Sequence, residues 1–287
     1  PAARLRAGRS VSCMCGGKWP PKPAGRLNAQ SSPAGFRLQA AGIQADLKTV
    51  MALGGYGATA ITAVTVQNTL GVSAVHPIPV EIVLAQARAV LGDIGADAIK
   101  TGMLGDVAMV EAVASLLDEA TGLPAVIDPV MIAKGGAALL PDAAIAAVRS
   151  LLVPRAGLLT PNAPEAEALT GLAVESLDDQ WRAGEALLKL GARAVLMKGG
   201  HVAGERVVDL LLTPTGETVF ETDRQDTRHT HGTGCTLASA CATGLAQGLD
   251  LSTAVAQAWA YVQEAMAHAP GLGKGHGPLD HAWTLRG

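Results

Sequence analysis

Apolar and polar residues follow two different periods along the chain, and these periods predict its strands and helices. Short apolar runs rich in β-branched residues predict strands that are buried on both faces of a sheet. Longer segments in which apolar residues recur every three or four positions predict helices. The predicted strands are 61–67, 98–101, 125–127, 157–159 and 193–197, and the predicted helices are 42–53, 80–94, 107–120, 141–152, 178–190, 235–247 and 253–268.

A predicted hairpin interrupts this pattern near the carboxyl end of the chain. Segments 207–212 and 218–220 flank Pro214-Thr215-Gly216, which is typical of a turn between antiparallel strands. Elsewhere strands and helices alternate. This alternation favours an α/β fold, a three-layer αβα sandwich with a mostly parallel central sheet.

Composition narrows the class of protein. Of the 287 residues, 49% are hydrophobic and 3% aromatic, so the core is expected to be aliphatic. The net charge of −3 gives no reason to expect nucleic-acid binding. No apolar run reaches the roughly 18 residues of a membrane span. Four cysteines without metal-site or disulfide spacing favour a cytoplasmic protein.

Residues 1–41 differ from the rest of the chain. The first 40 contain seven basic residues, no acidic one and no hydrophobic period. We interpret 1–41 as disordered or as non-native, and 42–287 as one domain. A change of reading frame is one hypothesis: the codons GGG TTC CGA CTC CAG for Gly35–Gln39 encode Gly-Ser-Asp-Ser when read one base later.

The segment from His229 to Ser239 contains the strongest chemical signal. Gly232 and Gly234 bracket Thr233 directly before a predicted helix, and such a turn directs unpaired backbone N–H groups at one point. The turn therefore predicts an anion site built from backbone. Cys235 follows it, where a helix N-terminus lowers a thiol pKa, so a thiolate is expected. A glycine-rich helix start with an inert cysteine is the alternative.

Polar residues follow each of the five predicted strands, at the edge where α/β sheets bind ligands. They are Gln67-Asn68, Lys100-Thr101, Asp128, Asn162 with Glu165, and Lys198. Phosphoryl transfer needs positioning, charge neutralisation and a metal, and the chain has no Walker A loop. Lys198 suits phosphate oxygens, and the carboxylates of Asp128 and Glu165 suit Mg²⁺. Asn162 suits a phosphate or a metal-bound water, although turns and helix caps would explain several of these residues equally well.

Seven short stretches together carry a resemblance to one enzyme family. They are Gly42–Thr49, Gln67–Thr69, Thr101–Leu104, Asp128–Met131, Thr160–Asn162, Met197–His201 and His231–Thr236. They resemble the hydroxymethylpyrimidine and phosphomethylpyrimidine kinases of thiamine biosynthesis, in the ribokinase-like superfamily, and the resemblance extends from residue 42 to about residue 283. It implies a ribokinase-like homodimer that uses ATP and Mg²⁺ to phosphorylate 4-amino-5-hydroxymethyl-2-methylpyrimidine and then its monophosphate.

The resemblance also implies roles for individual residues. Gln67 is expected to hydrogen-bond the aminopyrimidine, with Met103 and Val130 lining its pocket and Asp46 near the substrate phosphate. The residues expected to act in catalysis are Cys235, Lys198, Gly232 and Gly234, those at the ATP phosphates are Asn162, Lys198 and Thr233, and those at the metal are Asp128 and Glu165.

The segment before Gly42 departs from the family. Members have a strand there that ends in a loop similar to Ala-Gly-Ser-Asp-Ser-Ser-Gly-Gly, which covers the pyrimidine, whereas this chain has an unrelated sequence over 31–41. Two alternatives therefore stay open. One is a pyridoxal kinase of the same fold, whose substrate also carries a hydroxymethyl group on a flat nitrogen ring. The other is a catalytically impaired pyrimidine-binding protein.

Overall fold

The structure is a computed structural model that describes residues 42–131 and 139–285. Segment 1–41, on which the expectation of disorder or non-native origin and the reading-frame hypothesis depend, lies outside the described residues. Within those residues, no helix has both the length and the apolar character needed to cross a membrane.

Helices and strands alternate through most of the described chain, and the predicted ones lie close to their predicted bounds, whereas the helix Ala163–Thr170 was not predicted. In chain order they are α1 (Ile43–Ala52), β1 (Ala63–Asn68), β2 (Gly71–Pro77), α2 (Val80–Asp93), β3 (Ile99–Thr101), α3 (Val107–Glu119), β4 (Ala125–Ile127), α4 (Asp142–Ala147), β5 (Leu158–Leu159), α5 (Ala163–Thr170), α6 (Leu177–Lys189), β6 (Val195–Met197), β7 (Arg206–Thr213), β8 (Gly216–Asp223), α7 (Thr233–Ala246) and α8 (Leu251–Ala267). A π-helical turn, Val148–Leu152, continues α4, and short 3-10 turns lie at Val153–Arg155, Gly199–His201 and Trp283–Leu285.

The central sheet has six strands among the described residues, in the order β3-β4-β5-β6-β7-β8. Strands β3 to β6 are parallel, and β7 and β8 form the predicted antiparallel hairpin beside them. The carboxyl ends of four parallel strands therefore meet at one edge of the sheet.

Side chains that alternate along the strands pack against helices on opposite faces of the sheet. Ile127 of β4 and Leu159 of β5 lie in one core with residues of α2 to α6. Their neighbours Val126 and Leu158 lie in a second core with α7 and α8. Apolar residues of short parallel strands are thus buried on both sides. This arrangement confirms the three-layer αβα fold.

Helix α7 packs very closely against α8. Its residues from Thr236 to Gly244 are all buried, and a Cβ added at Gly244 would lie 2.9 Å from the Cβ of Ala254. Small side chains allow this close approach, as the sequence predicts.

The strand predicted at 61–67 does not belong to the central sheet, so the assignment of five strand ends to one parallel sheet is wrong. Its counterpart β1 pairs antiparallel with β2 in a separate two-stranded sheet. The chain reverses at Asn68–Gly71, where Asn68 Oδ1 accepts a 2.8 Å hydrogen bond from Leu70 N and Gly71 has φ +151°. Most of β2 is exposed and has little hydrophobic periodicity, so its sequence does not predict a strand.

Candidate active site

Three charged side chains meet at the carboxyl edge of the central sheet. Asp128 follows β4, Lys198 follows β6, and Glu165 lies in the first turn of α5. Lys198 Nζ is 3.0 Å from Asp128 Oδ1 and 3.6 Å from Glu165 Oε2. Asp128 Oδ1 also accepts a 3.3 Å hydrogen bond from Thr160. Asp128 Oδ2 is buried without a hydrogen-bond partner, so one carboxylate oxygen of this cluster is available to a ligand.

Burial and charge act against each other in this cluster. Burial alone would lower the pKa of Lys198, but the carboxylates of Asp128 and Glu165 outweigh it and raise that pKa above its ordinary value. Burial raises the pKa of Glu165, and the positive charge of Lys198 only partly opposes it. Lys198 therefore stays cationic at neutral pH, as neutralisation of phosphate oxygens requires.

Asn162 and Glu165 form a capping box at the start of α5. Asn162 Oδ1 accepts from Glu165 N at 2.9 Å, and Glu165 Oε2 accepts from Asn162 N at 2.8 Å. The cap places Glu165 beside Lys198. It also occupies the side-chain oxygen of Asn162, which leaves the amide NH₂ group for a ligand.

The glycine turn begins α7 directly opposite this cluster. Gly232 is the N-cap residue with φ +90°, and no side chain caps the first turn. A Cβ at Gly234 would lie 3.3 Å from Lys198 Nζ and 3.9 Å from Asp128 Oδ2. The uncapped helix start, whose backbone N–H groups and dipole favour anions, therefore adjoins the lysine.

Cys235 does not have the low pKa that its helix position suggests. Burial raises the pKa of its thiol to about 11, Asp46 and Asp128 add to that effect, and Lys100 only partly opposes it. The expectation of a thiolate is therefore wrong, because burial and two nearby carboxylates keep the thiol protonated at neutral pH.

Asp46 is held in a second buried ion pair. Its two carboxylate oxygens lie 3.1 and 3.3 Å from Lys100 Nζ, and Ser239 of α7 donates a 2.6 Å hydrogen bond to Oδ1. The negative charge of Asp46 raises the pKa of Lys100 above its ordinary value even though burial opposes it. These contacts join α1, β3 and α7.

One cavity of about 770 Å³ contains every site residue that the sequence predicts. The Lys198 cluster and the glycine turn line this cavity together with Gln67, Met103 and Val130, and the Met103 carbonyl accepts a 2.8 Å hydrogen bond from Thr62. The predicted residues among its lining are Asp46, Gln67, Met103, Asp128, Val130, Asn162, Glu165, Lys198, Gly232, Thr233, Gly234 and Cys235. Their proximity agrees with the predicted site, whereas their individual roles stay predictions.

Two polar residues of the cavity, Lys100 and His231, were given no role in the predicted site. Lys100 lies buried between Ile99 and Thr101 in a short strand, and its place at a strand end was the signal in the sequence. His231 lies in the glycine turn, with its Nε2 atom 3.2 Å from Gln67 Nε2. No pattern in the sequence connects it with a residue 164 positions away.

The fold and the site together define a kinase of the ribokinase-like class. The structure superposes with a TM-score of 0.80 on a Bacillus subtilis pyridoxal kinase solved as an ADP complex, with 36% identity over 86% of this chain and 94% of that one. It also superposes with a TM-score of 0.70 on a phosphomethylpyrimidine kinase from Clostridium difficile 630, with 41% identity over 78% of this chain and 93% of that one.

Sequence comparison identifies the family within that class. Residues 39–280 match the model of the phosphomethylpyrimidine kinase family. A hydroxymethylpyrimidine/phosphomethylpyrimidine kinase from Streptomyces coelicolor is 51% identical over 245 residues, which are 85% of this chain and 90% of that protein. The chain belongs to the phosphomethylpyrimidine kinase family, as its seven motifs indicate.

Proposed function

We propose that the protein transfers the γ-phosphoryl group of ATP to 4-amino-5-hydroxymethyl-2-methylpyrimidine and then to its monophosphate, in the cytoplasmic synthesis of thiamine. One observation carries the proposal. A single cavity is lined by a lysine–carboxylate cluster, by the uncapped helix start beside it and by the side chain of Gln67. Membership of the family and the 51% identical kinase support the same substrate.

Charge stabilisation supplies most of the catalysis in this proposal. Lys198 neutralises phosphoryl oxygens, and the backbone of Gly232, Thr233 and Gly234 receives the negative charge that develops during transfer. Asn162 donates its amide to a phosphate. The thiol of Cys235, neutral at pH 7 because of its raised pKa, lies beside the reacting oxygens without adding a negative charge.

The residues present fit a Mg²⁺ ion. The buried Asp128 Oδ2 atom lacks a hydrogen-bond partner, and a hard oxygen donor of this kind is what Mg²⁺ binds. The described residues hold no cluster of three or more metal-ligating side chains, but Mg²⁺ in kinases takes few protein ligands and completes its shell with water and phosphate. Asp128 and Glu165 would hold the ion, which neutralises phosphate charge when bound.

Recognition of the substrate ring depends on three residues that line the cavity. Gln67 hydrogen-bonds the aminopyrimidine, while Met103 and Val130 contact its faces. Asp46, fixed by Lys100 and Ser239, places its carboxylate near the substrate hydroxymethyl group or phosphate.

A homodimer is part of the proposal, and the small sheet supports it. Val64 and Val66 lie on one face of β1 and are each about half exposed, and Leu70 at the turn before β2 is 67% exposed. Apolar side chains grouped on one hairpin are typical of a surface that a second subunit covers.

Steady-state kinetics on the purified protein test the activity. With Mg·ATP, the aminopyrimidine and its monophosphate should both be phosphorylated, and pyridoxal should be a poorer substrate by kcat/KM. Pyridoxal is the one competing substrate with specific support, because a pyridoxal kinase superposes with a TM-score of 0.80. A higher kcat/KM for pyridoxal would replace the proposed substrate. Aminopyrimidine binding without ATP turnover would instead favour the impaired binding protein.

A further inference from the structure

We propose that Arg224 is a positioning residue for ATP: its guanidinium holds loop 199–204, which follows Lys198, in the conformation that forms one wall of the cavity. This inference deepens the proposed function and rests on it, because the proposed function assigns Lys198 to the ATP phosphates. Arg224 does not itself line the cavity, so it acts on the nucleotide through the loop.

All three nitrogens of the Arg224 guanidinium donate to carbonyl groups of this loop. Nε donates to Gly204 O at 2.8 Å, Nη1 to Gly200 O at 3.0 Å, and Nη2 to Val202 O at 2.6 Å. A guanidinium has only donors and a backbone carbonyl only accepts, so each bond has one possible direction. The planar fork therefore orients the carbonyl of every second residue between 200 and 204.

Beyond its first residue, the loop has little else to determine its conformation. Gly199 is anchored independently, because its N–H donates to the buried carboxylate of Asp209 at 2.6 Å. Gly200, His201 and residues 203–205 are exposed. Since exposed, glycine-rich backbone has few packing contacts and much conformational freedom, the hydrogen bonds from the arginine decide where the loop lies.

The residues that the arginine holds in place form part of the cavity wall. Gly200 and His201 line the cavity directly after Lys198. Lys198 is itself fixed by other contacts: its backbone N–H donates to Pro161 O at 2.9 Å, and its Nζ atom donates to Asp128 at 3.0 Å. Removal of the arginine should therefore displace the wall beside the lysine and leave the lysine in place.

Arg224 also connects this wall with the segment that enters the glycine turn. It follows β8 directly, and its backbone N–H donates to Glu205 O at 2.7 Å. The same segment continues to Gly232, the N-cap residue of α7. The arginine thus joins, from outside the cavity, two parts of the chain that the proposed function places around the ATP phosphates.

Steady-state kinetics of the full chain test this role. Arg224→Met removes all three donors, so KM for ATP should rise about tenfold, as expected when hydrogen bonds from a charged group are lost. Both kcat and KM for the aminopyrimidine should stay within about twofold of the parent, because only ATP binding is weakened. Arg224→Lys should behave as Arg224→Met does, since a flexible ammonium cannot hold three carbonyls in one plane.

Arg206→Met is the matched control for loss of charge. Arg206 lies on the same hairpin, in β7, and its guanidinium pairs with Glu221 at 2.7 Å. The control removes a positive charge from the same region, and it should leave KM for ATP unchanged. An increase as large as that of Arg224→Met would show that net charge, and not the position of the loop, is the cause, which would overturn the proposal.

Hydrogen exchange measures the conformation of the loop directly. In the free protein, the amides of residues 199–205 should exchange faster in Arg224→Met than in the parent, because the loop opens more easily. The Val202 N–H, which donates to Gly199 O at 2.9 Å, should change most. Unchanged exchange in this segment would overturn the proposal. Equal increases in KM for ATP and for the aminopyrimidine, or recovery of the parent KM in Arg224→Lys, would overturn it as well.

Two of these measurements need no turnover. Calorimetric titration with the ATP analogue AMP-PCP should give a Kd about tenfold higher for Arg224→Met than for the parent, and hydrogen exchange is measured without substrate. A parent protein that phosphorylates neither the aminopyrimidine nor its monophosphate would refute the proposed function. The binding and exchange results would still decide the role of Arg224.

Discussion

Two lysines at the same edge of the sheet, Lys100 fully buried and Lys198 partly buried, make opposite use of their carboxylate partners. Lys100 is 1% exposed, and Asp46 accepts from it through both oxygens and from Ser239 as well. Lys198 keeps 13% of its side chain exposed, and its partner Asp128 retains a buried oxygen without a hydrogen bond. The first cluster is complete within the fold, whereas the second has unused capacity for a ligand.

Whether every buried polar atom has a hydrogen bond distinguishes an ion pair that stabilises the fold from one that can bind a ligand. Burying a charge is costly, and a fold retains it when hydrogen bonds compensate the loss of water. In the Lys100–Asp46 pair, hydrogen bonds within the fold compensate the loss of water, and these contacts join α1, β3 and α7. In the Lys198 cluster this compensation is only partial, and a buried atom left without a hydrogen bond at a cavity is explained by a ligand, an ion or a water.

Breaking the Lys100–Asp46 ion pair should cause the largest change, a loss of stability. Lys100→Met removes the cation and leaves Asp46 as an uncompensated buried charge, so the free energy of unfolding should fall by about 3–5 kcal/mol. Urea denaturation followed by circular dichroism measures this change. The double variant Lys100→Met/Asp46→Leu is the control and should recover most of the loss. A double variant as unstable as the single one would show that charge is not the cause.

Removing the other lysine should impair catalysis more than stability. Lys198→Ala should lower kcat by about 10²–10³, the usual cost of one preorganised electrostatic group. Its free energy of unfolding should fall much less than that of Lys100→Met. Lys189→Ala, at a lysine whose side chain is 76% exposed, is the surface control. Unchanged kcat, or a loss of stability equal to that of Lys100→Met, would contradict the distinction between the two lysines.

The alkylation rate of the Cys235 thiol tests its raised pKa and the effect of the neighbouring lysines on it. With its pKa raised to about 11, the thiol is neutral below that pH, so alkylation by iodoacetamide should accelerate about tenfold per pH unit toward pH 11. At pH 8 it should be about a hundredfold slower than an ordinary thiol. Lys198→Ala should slow the labelling further, because the cation of Lys198 also interacts with this thiol. Peptide-level mass spectrometry measures the rate, and fast labelling at pH 8 would refute the raised pKa.

Variants of the two carboxylates should cause the smallest change of the four, a shift in the Mg²⁺ concentration that the activity requires. Asp128→Ala or Glu165→Ala should raise the Mg²⁺ concentration for half-maximal activity by roughly tenfold, whereas Lys198→Ala should lower kcat without that shift. Titration of Mg²⁺ at saturating ATP measures both. If all three variants keep the parent's Mg²⁺ dependence, the carboxylates do not hold the ion.

Residues at strand ends could be located from the sequence because topology alone brings them together. Parallel strands direct their carboxyl ends to one edge, so Asp128, Asn162 and Lys198 were expected to be neighbours before any contact was known. The fold class followed from the same periodic pattern. The glycine turn was recognisable because the wider stretch His231–Thr236 resembles the family, since glycines at a helix start are common on their own.

The remaining features depend on contacts that no local pattern encodes. Asp46 comes from a helix, so strand-end reasoning could not pair it with Lys100. The pKa of Cys235 depends on how completely the folded chain excludes water, and the helix position alone predicted the wrong direction. Strand β2 is mostly exposed and therefore lacked the apolar signature by which the other strands were found.

The hydrogen bond from Ser239 to Asp46 spans 193 positions, and this separation has a consequence for biosynthesis. At ribosomal speeds of about 5–20 residues per second, Ser239 emerges on the order of 10–40 s after Asp46. During that interval a nascent chain holds the aspartate without its serine partner, and the wall of the cavity that α7 provides does not yet exist. The enzyme therefore cannot become competent in stages during translation, and its ligands can assist maturation only after nearly the whole polypeptide has been made.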